Sequence, residues 1–150
     1  MHRLVCFHDS YFRNRLNEKI IILVVILAIL GIGLSANFAA STLNNITDLN
    51  AAFSDAKSQN KNIVIIFDQD NCAYCDMLKK NVLSDAKVID ELNIKSIVVI
   101  VNINDHPEWA GKYNAYGTPI TVILDSNQNE IGRINGYVEA DEFLKIIQGI

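Results

Sequence analysis

The sequence predicts an α/β domain in which helices flank a central mixed β-sheet, with a hydrophobic segment ahead of the domain. Two observations predict this arrangement. Apolar runs rich in β-branched residues recur along the chain and alternate with segments of helical periodicity. In addition, residues 20–36 form an uncharged apolar run near the N-terminus. Hydrophobic residues make up 50% of the 150, which fits one globular core plus this extra segment.

The run at residues 20–36 has the features of a membrane-targeting segment. Basic residues precede it, a pattern that keeps the N-terminus in the cytoplasm. They are Arg3, Arg13, Arg15 and Lys19. A buried core helix is the weaker alternative, since the run is apolar on every face. Residues 36–41 match a cleavage site poorly, which favours an uncleaved inner-membrane anchor, although a cleaved signal peptide stays open. We therefore predict residues 1–40 as signal peptide or signal anchor and residues 41–150 as a periplasmic or otherwise extracytoplasmic domain.

The charge balance changes at the same boundary. Residues 1–40 hold four Lys or Arg against two Asp or Glu, a net charge of +2. The remaining nine Lys or Arg and fifteen Asp or Glu give residues 41–150 a net charge of −6. An acidic domain has no electrostatic attraction for nucleic acid, so a nucleic-acid partner is not expected.

The first half of the domain predicts a helix, a strand and two further helices. Apolar residues recur at helical spacing over residues 46–56, with Thr47 or Asn45 as the N-cap. The continuous apolar run Ile63–Phe67 predicts a buried strand. A helix follows from the first cysteine of the domain, and a shorter one covers residues 85–92. The inward residues of these two helices are expected to be Cys75, Leu78, Val82, Val88, Ile89 and Leu92.

The second half predicts a strand, a helix, two strands and a closing helix. Residues 97–103 suit a central strand that is covered on both faces and parallel to the first. Pro107 can begin a helix that runs to Tyr116. Its buried side is expected to carry Trp109, Ala110 and Tyr113. Strands at 120–124 and 130–134 then form a hairpin, and residues 141–148 have the apolar spacing of a helix.

The chemistry of the chain centres on Cys72-Ala73-Tyr74-Cys75, directly after the first strand. At a helix N-terminus the unpaired amides and the helix dipole stabilise an anion, so Cys72 should ionise readily and act as a nucleophile. Cys75 lies on the same side of the helix and can close or resolve a disulfide. A zinc site is disfavoured because His106 is the one further ligand of nitrogen or sulfur type in residues 41–150. An inert structural disulfide remains open.

The order of elements and three local features resemble the thioredoxin superfamily over about residues 46–150. The features are the Cys-x-x-Cys after a strand, Thr118-Pro119 at the entry to the next antiparallel pair, and Gly136 after the last strand. The resemblance is to the small exported thioredoxin-like proteins of bacteria. It implies that Cys72 attacks, that Cys75 resolves, that Pro119 is cis and packs against the disulfide, and that Thr118 offers backbone groups to a substrate peptide. Gly136 lies in the same implied groove, and the exposed Tyr74 could contact a partner.

The chain departs from the cytosolic thioredoxins at several positions of the site. Asn71 stands where they have tryptophan, and Ala73-Tyr74 where they have Gly-Pro. Their buried carboxylate and its lysine partner fall here on Ile66 and Ile100. The proton acceptor for the second cysteine therefore has to be another group. The remaining candidates are Asp68, Asp70 and a water molecule.

These observations predict an exported protein-disulfide reductase or related thiol–disulfide oxidoreductase. Its redox group is the Cys72–Cys75 disulfide, with no other cofactor and no metal. The expected partners are cysteine-containing proteins, an upstream thiol–disulfide electron donor and, if the segment is uncleaved, the membrane through residues 20–36. The nearby carboxylates of Asp68, Asp70 and Asp76 disfavour a thiolate and thus favour a reductant or weak isomerase over a strong oxidant. The alternative is a non-catalytic peptide-binding or chaperone-like module with a structural disulfide.

Overall fold

The structure is a computed structural model that describes residues 19–22 and 42–150. Residues 19–22 are helical and exposed. The rest of the predicted segment 20–36, and the predicted boundary at residue 40, lie outside the described residues. In the described part of the chain, no helix combines the length and the apolar character that crossing a membrane requires.

The described domain contains five strands and five helices, and one helix continues into a π-helical turn. The strands are β1 (Asn45–Ile46), β2 (Asn62–Asp68), β3 (Ser96–Asn102), β4 (Ile120–Leu124) and β5 (Glu130–Asn135). The helices are α1 (Leu49–Gln59), α2 (Ala73–Met77), α3 (Ala86–Lys95), α4 (Pro107–Lys112) and α5 (Ala140–Gln148). The π turn (Leu78–Val82) extends α2.

The strands form one mixed sheet in the order β1-β3-β2-β4-β5. β2 is parallel to β3 and antiparallel to β4, and β4 is antiparallel to β5. The predicted mixed sheet with flanking helices is therefore confirmed. In the β2–β3 register Ile66 lies opposite Ile100, so these two residues are neighbours in the middle of the sheet.

Each face of the sheet carries its own apolar layer because side chains alternate along a strand. Ile63, Ile65 and Phe67 of β2 pack with α1 and with residues after α4. Val64 and Ile66 pack on the other face with the α2 segment, α3 and α5. All five of these side chains are buried, as the apolar run predicted. The helix that begins at the cysteines therefore packs against the face of β2 that carries Val64 and Ile66.

The first helix begins later than the sequence pattern predicts. Asn45 and Ile46 are not helical but pair with β3 as a short parallel strand. The N-cap is Asp48, so the predicted N-caps Thr47 and Asn45 are wrong. The Asp48 carboxylate accepts hydrogen bonds from Asn50 N at 2.8 Å and from Ala51 N at 3.4 Å, which satisfies amides that the helix itself cannot pair.

Helix α4 ends four residues before the predicted end at Tyr116. Asn114 takes a left-handed conformation with φ of 52°, and Ala115 N donates to Ala110 O at 2.8 Å, which closes the helix. Ala110 and Tyr113 are buried as predicted. Tyr116 leaves the helix face and is 78% exposed.

Candidate functional site

The two cysteines lie where β2 gives way to α2. β2 ends at Asp68, and Asn71, with φ of 56°, turns the chain into the helix. Cys72 is the N-cap of α2, and its Sγ accepts a hydrogen bond from Cys75 N at 3.1 Å. The two cysteines are joined by a disulfide with their Cα atoms 5.2 Å apart. The predicted position of Cys72 at a helix N-terminus is confirmed.

The two cysteines differ in their exposure to solvent. Cys72 is 9% exposed and Cys75 is 2% exposed. Cys75 lies on the buried face of the helix with Leu78 and Val82, as the spacing predicted. A molecule that approaches the disulfide from outside therefore reaches the Cys72 side more readily than the Cys75 side.

A second loop, which contains Thr118 and is distant in sequence, contacts Cys72. The peptide bond between Thr118 and Pro119 is cis. Thr118 Oγ1 donates a hydrogen bond to Cys72 Sγ at 3.4 Å. The structure therefore brings Thr118, one of the predicted site residues, to the first cysteine, with Pro119 as the next residue of the same loop. Both donors on Cys72 Sγ, an amide and a hydroxyl, are neutral groups.

Gly136 is connected to this loop through the backbone. It has φ of +86°, a conformation that favours glycine, and its N–H donates to Pro119 O at 2.9 Å. A Cβ at Gly136 would have nothing within 4 Å, so the space beside it is open. The next residue, Tyr137, accepts a hydrogen bond from Asn81 Nδ2 of the π turn at 3.5 Å and donates to Glu139. The segment after β5 is thereby tied both to Pro119 and to the cysteine helix.

Three exposed apolar side chains belong to the segments around the disulfide. Tyr74, between the cysteines, is 62% exposed, in line with its prediction as an exposed residue. Met77 lies three residues further along the same helix and is 38% exposed. Tyr116 precedes Thr118 by two residues and is also exposed. Neither Met77 nor Tyr116 was predicted as a site residue, although each lies close in sequence to Cys75 or Thr118.

The carboxylates near the cysteines have different partners. Asp68 is buried, and its carboxylate forms an ion pair with Lys79 Nζ of the π turn. Asp70 is exposed and accepts a hydrogen bond from Asn102 Nδ2 at 3.0 Å. Asp76 is exposed on α2. Of the carboxylates that the sequence left open as proton acceptors, Asp68 is therefore the one inside the protein.

His106 and Glu108 lie at the start of α4, away from the cysteine helix in sequence. His106 is the exposed N-cap residue of α4, and its Nδ1 is 3.2 Å from Glu108 Oε1.

Among residues 19–22 and 42–150, no three His, Cys, Asp or Glu side chains come together as a potential metal site.

An ion pair on β5 fixes the end of α4. Arg133 bonds Glu130 through two nitrogens, at 2.7 and 2.8 Å, and its Nη2 also donates to Tyr113 O at 2.8 Å. The hydrogen bond from Arg133 holds the pKa of Glu130 below its ordinary value. Burial, and secondarily the charge of Glu130, raise the pKa of Tyr113. The Tyr113 hydroxyl is buried and has no hydrogen-bond partner among the described residues.

Comparison with known proteins places the fold. The family model described as the thioredoxin-like domain matches residues 49–150. The thiol:disulfide interchange protein DsbD of Campylobacter jejuni is 25% identical over 118 residues, which is 77% of this chain but only 21% of that relative.

Two solved structures are similar to the domain. A thioredoxin from Thermus thermophilus is 27% identical with a TM-score of 0.66, and the match covers 73% of this chain and 86% of that one. The oxidised C-terminal domain of Neisseria meningitidis DsbD is 22% identical with a TM-score of 0.60, over 70% of this chain and 97% of that one. At 22% identity the second likeness bears on the fold alone.

Proposed function

Because the chain belongs to the family of thioredoxin-like domains, we propose that it is a thiol–disulfide oxidoreductase whose substrates are cysteine pairs on other proteins. One observation carries the proposal. The disulfide joins Cys72, at a helix N-terminus and 9% exposed, to Cys75, which is 2% exposed. This asymmetry assigns different tasks to the two sulfurs, whereas a structural disulfide has no need of it.

The reaction consists of two thiol–disulfide exchanges. The Cys72 thiolate attacks one sulfur of a substrate disulfide and forms a mixed disulfide, with release of the other substrate sulfur as a thiolate. Cys75 then attacks Cys72 Sγ and releases the second substrate sulfur. The amide of Cys75 and the hydroxyl of Thr118, which both donate to Cys72 Sγ, stabilise the thiolate that begins the cycle.

The substrate segment is proposed to lie against the loops beside Cys72. Thr118 and Pro119 contribute the floor of this groove, because Thr118 contacts Cys72 Sγ, the sulfur that attacks the substrate. Gly136, hydrogen-bonded to Pro119, leaves room for an extended peptide on that side. Tyr74 offers an exposed ring to residues that flank the substrate cysteine.

The proposed direction is reduction of the substrate. A strong oxidant needs a very stable Cys72 thiolate, which positive neighbours would supply. The donors on Cys72 Sγ are neutral, and the exposed carboxylates of Asp70 and Asp76 belong to the adjoining segments. Equilibration with glutathione tests the direction: a disulfide that glutathione reduces readily would make the protein an oxidant.

We place the domain outside the cytoplasm, with residues 20–36 as its targeting segment or membrane anchor. The basic residues ahead of that run support this placement. As a reductant the protein needs an upstream thiol–disulfide donor to restore its dithiol after each cycle, and no cofactor beyond the Cys72–Cys75 pair.

The decisive experiment is reduction of insulin by dithiothreitol in the presence of the full-length chain. The wild type should accelerate the reduction, and Cys72→Ser should return it to the uncatalysed rate. Cys6→Ser, which removes the third cysteine of the chain, is the matched control and should behave as wild type. A reduced Cys75→Ser variant, mixed with insulin after dithiothreitol is removed, should accumulate the mixed disulfide with insulin.

Two outcomes would contradict the proposal. Full activity in Cys72→Ser would remove Cys72 from the reaction. A wild type that binds the unfolded chain of a reduced protein but leaves the rate of insulin reduction unchanged would identify a peptide-binding module instead.

A further inference from the structure

The second exchange requires that a buried thiol lose its proton. The thiolate is the form of cysteine that attacks a disulfide. Cys75 is 2% exposed, so bulk water has little access to it. Burial also disfavours the charged form of a thiol. A base inside the protein would therefore accelerate the attack of Cys75 on Cys72 Sγ.

Asp68 is a buried carboxylate at the end of β2 next to this helix. It is 7% exposed. Side chains two residues apart point to the same face of a strand, so Asp68 shares the face of Val64 and Ile66, which pack against the cysteine helix. Its ion pair with Lys79 of the π turn shows directly that the carboxylate faces that helix.

The ion pair with Lys79 places this carboxylate beside the helical segment that carries the resolving cysteine. It lies four residues after Cys75 in the continuous helical segment 73–82, about one turn away. The ammonium group compensates for placing a carboxylate in the interior, which would otherwise be costly. The middle of the strand pair, at Ile66 and Ile100, is apolar and offers no such group.

We propose that Asp68 accepts the proton of Cys75 during the second exchange, with Lys79 as its counter-ion. This inference rests on the proposed oxidoreductase function. It identifies the ion pair as part of the resolving step rather than as a purely structural contact.

The second exchange moves one proton from Cys75 and two electrons to the substrate. The Cys75 thiol gives its proton to the Asp68 carboxylate, directly or through one water molecule. The Cys75 sulfur then forms a bond to Cys72 Sγ, and the bond from Cys72 Sγ to the substrate sulfur breaks. The substrate sulfur leaves as a thiolate and takes a proton from solvent, while Asp68 returns its proton to solvent. The substrate gains the two electrons that the dithiol loses.

The other charged groups nearby are less suited to this role. Asp70 is exposed and bonded to Asn102, and Asp76 and Lys80 are exposed on the cysteine helix. The strands on either side of β2, β3 and β4, contain no charged residue. After β5, Glu139 accepts its hydrogen bond from Tyr137. Within the described residues, Lys79 is the charged group in contact with Asp68.

The test separates the two exchanges in time. The reduced full-length chain, carrying Cys6→Ser so that two cysteines remain, is mixed with dithiobis(nitrobenzoate) in a stopped-flow instrument. The first release of thionitrobenzoate reports the attack of Cys72 on the reagent. The second release reports the attack of Cys75 on Cys72 Sγ. The reagent concentration is raised until the first release is the faster one.

Asp68→Asn should leave the first release within about twofold of the parent and slow the second about 100-fold at neutral pH, the usual size of a lost general base. The second release of this variant should rise about tenfold per pH unit, since solvent bases must then take the proton, whereas the parent is less steep. Asp68→Glu, which keeps a carboxylate, should recover most of the rate. Asp70→Asn is the matched control for the resolving step and should leave the second release unchanged.

An unchanged second release in Asp68→Asn would overturn the inference, as would equal slowing by Asp70→Asn. Absence of the first release in the parent would overturn the proposed function and this inference with it. If Asp68→Asn does not fold, Asp68→Leu takes its place, because an apolar residue needs no buried partner and Lys79, whose side chain is 45% exposed, can turn to solvent. Its second release should be slowed as in Asp68→Asn, and an unchanged second release would overturn the inference.

Discussion

Replacement of Lys79 by methionine tests how strongly the interior depends on the Asp68–Lys79 ion pair. Methionine keeps much of the length of the side chain and removes its charge, so the Asp68 carboxylate loses its counter-ion. The two side chains are unequally exposed, at 11% for Asp68 and 45% for Lys79. Loss of one partner costs about 3–5 kcal/mol in a fully buried pair and about 0–1 kcal/mol in an exposed one.

The partial exposure of Lys79 places the expected cost between these limits, at about 2 kcal/mol of unfolding free energy for Lys79→Met. For a domain of this size the midpoint of thermal unfolding should fall by roughly 8 °C. Circular dichroism during thermal and urea unfolding at neutral pH measures both quantities. Lys80→Met is the matched control, since Lys80 is exposed, and it should stay within about 0.5 kcal/mol of wild type.

A double-mutant cycle isolates the pair itself. Asp68→Asn removes the charge of the other partner, so the double variant should cost at least about 1 kcal/mol less than the sum of the single variants. Additivity within about 0.5 kcal/mol would refute the reasoning, because it would mean that the two charges do not interact. Equal costs for Lys79→Met and Lys80→Met would refute it as well.

Three other predictions concern the rest of the chain. Asp48→Ala should destabilise the domain by about 1 kcal/mol in urea unfolding, because two amides of α1 lose their acceptor; an unchanged midpoint would contradict this. Glu130→Gln should cost less than about 1 kcal/mol at neutral pH, since Glu130 is partly exposed. Arg133 lowers the pKa of Glu130 in the folded state below the ordinary 4.5. The stability that the Glu130 carboxylate contributes is therefore fully present above pH 4.5, and it is lost as the pH falls through the lower pKa of the folded state. Wild type and variant would then converge in acid, and a constant difference would be inconsistent with the ion pair. A reporter that is active only in the cytoplasm, fused after Ile150, should be silent, and an active fusion would reverse the proposed topology.

Much of the fold could be read from short-range patterns. The apolar run Ile63–Phe67 has no polar residue to face water, so the sequence predicted a strand that is buried on both faces. Asp85 precedes a helical apolar spacing and caps α3 through Lys87 N and Val88 N. The place of Cys72 follows from the same local rules, since a strand, a polar turn and a helix succeed one another within a few residues.

Other features arise from contacts between distant parts of the chain. Asn45 and Ile46 are a strand because β3 presents a parallel partner to them, and their spacing alone predicted a helix. The shortened α4 depends on the left-handed Asn114, and the resulting exposure of Tyr116 was not visible in the apolar periodicity.

The sequence by itself determined the order of elements from α1 onward, the burial of the strand beneath the cysteine helix and the position of Cys72 and Cys75. Each of these depends on residues within a few positions of one another. The tertiary structure alone decided that Thr118 donates to Cys72 Sγ, 46 residues away, and that Asp68 pairs with Lys79. The physical reason is that sheet register and helix packing set which side chains meet across the fold, and a carboxylate acquires its partner only when those surfaces come together.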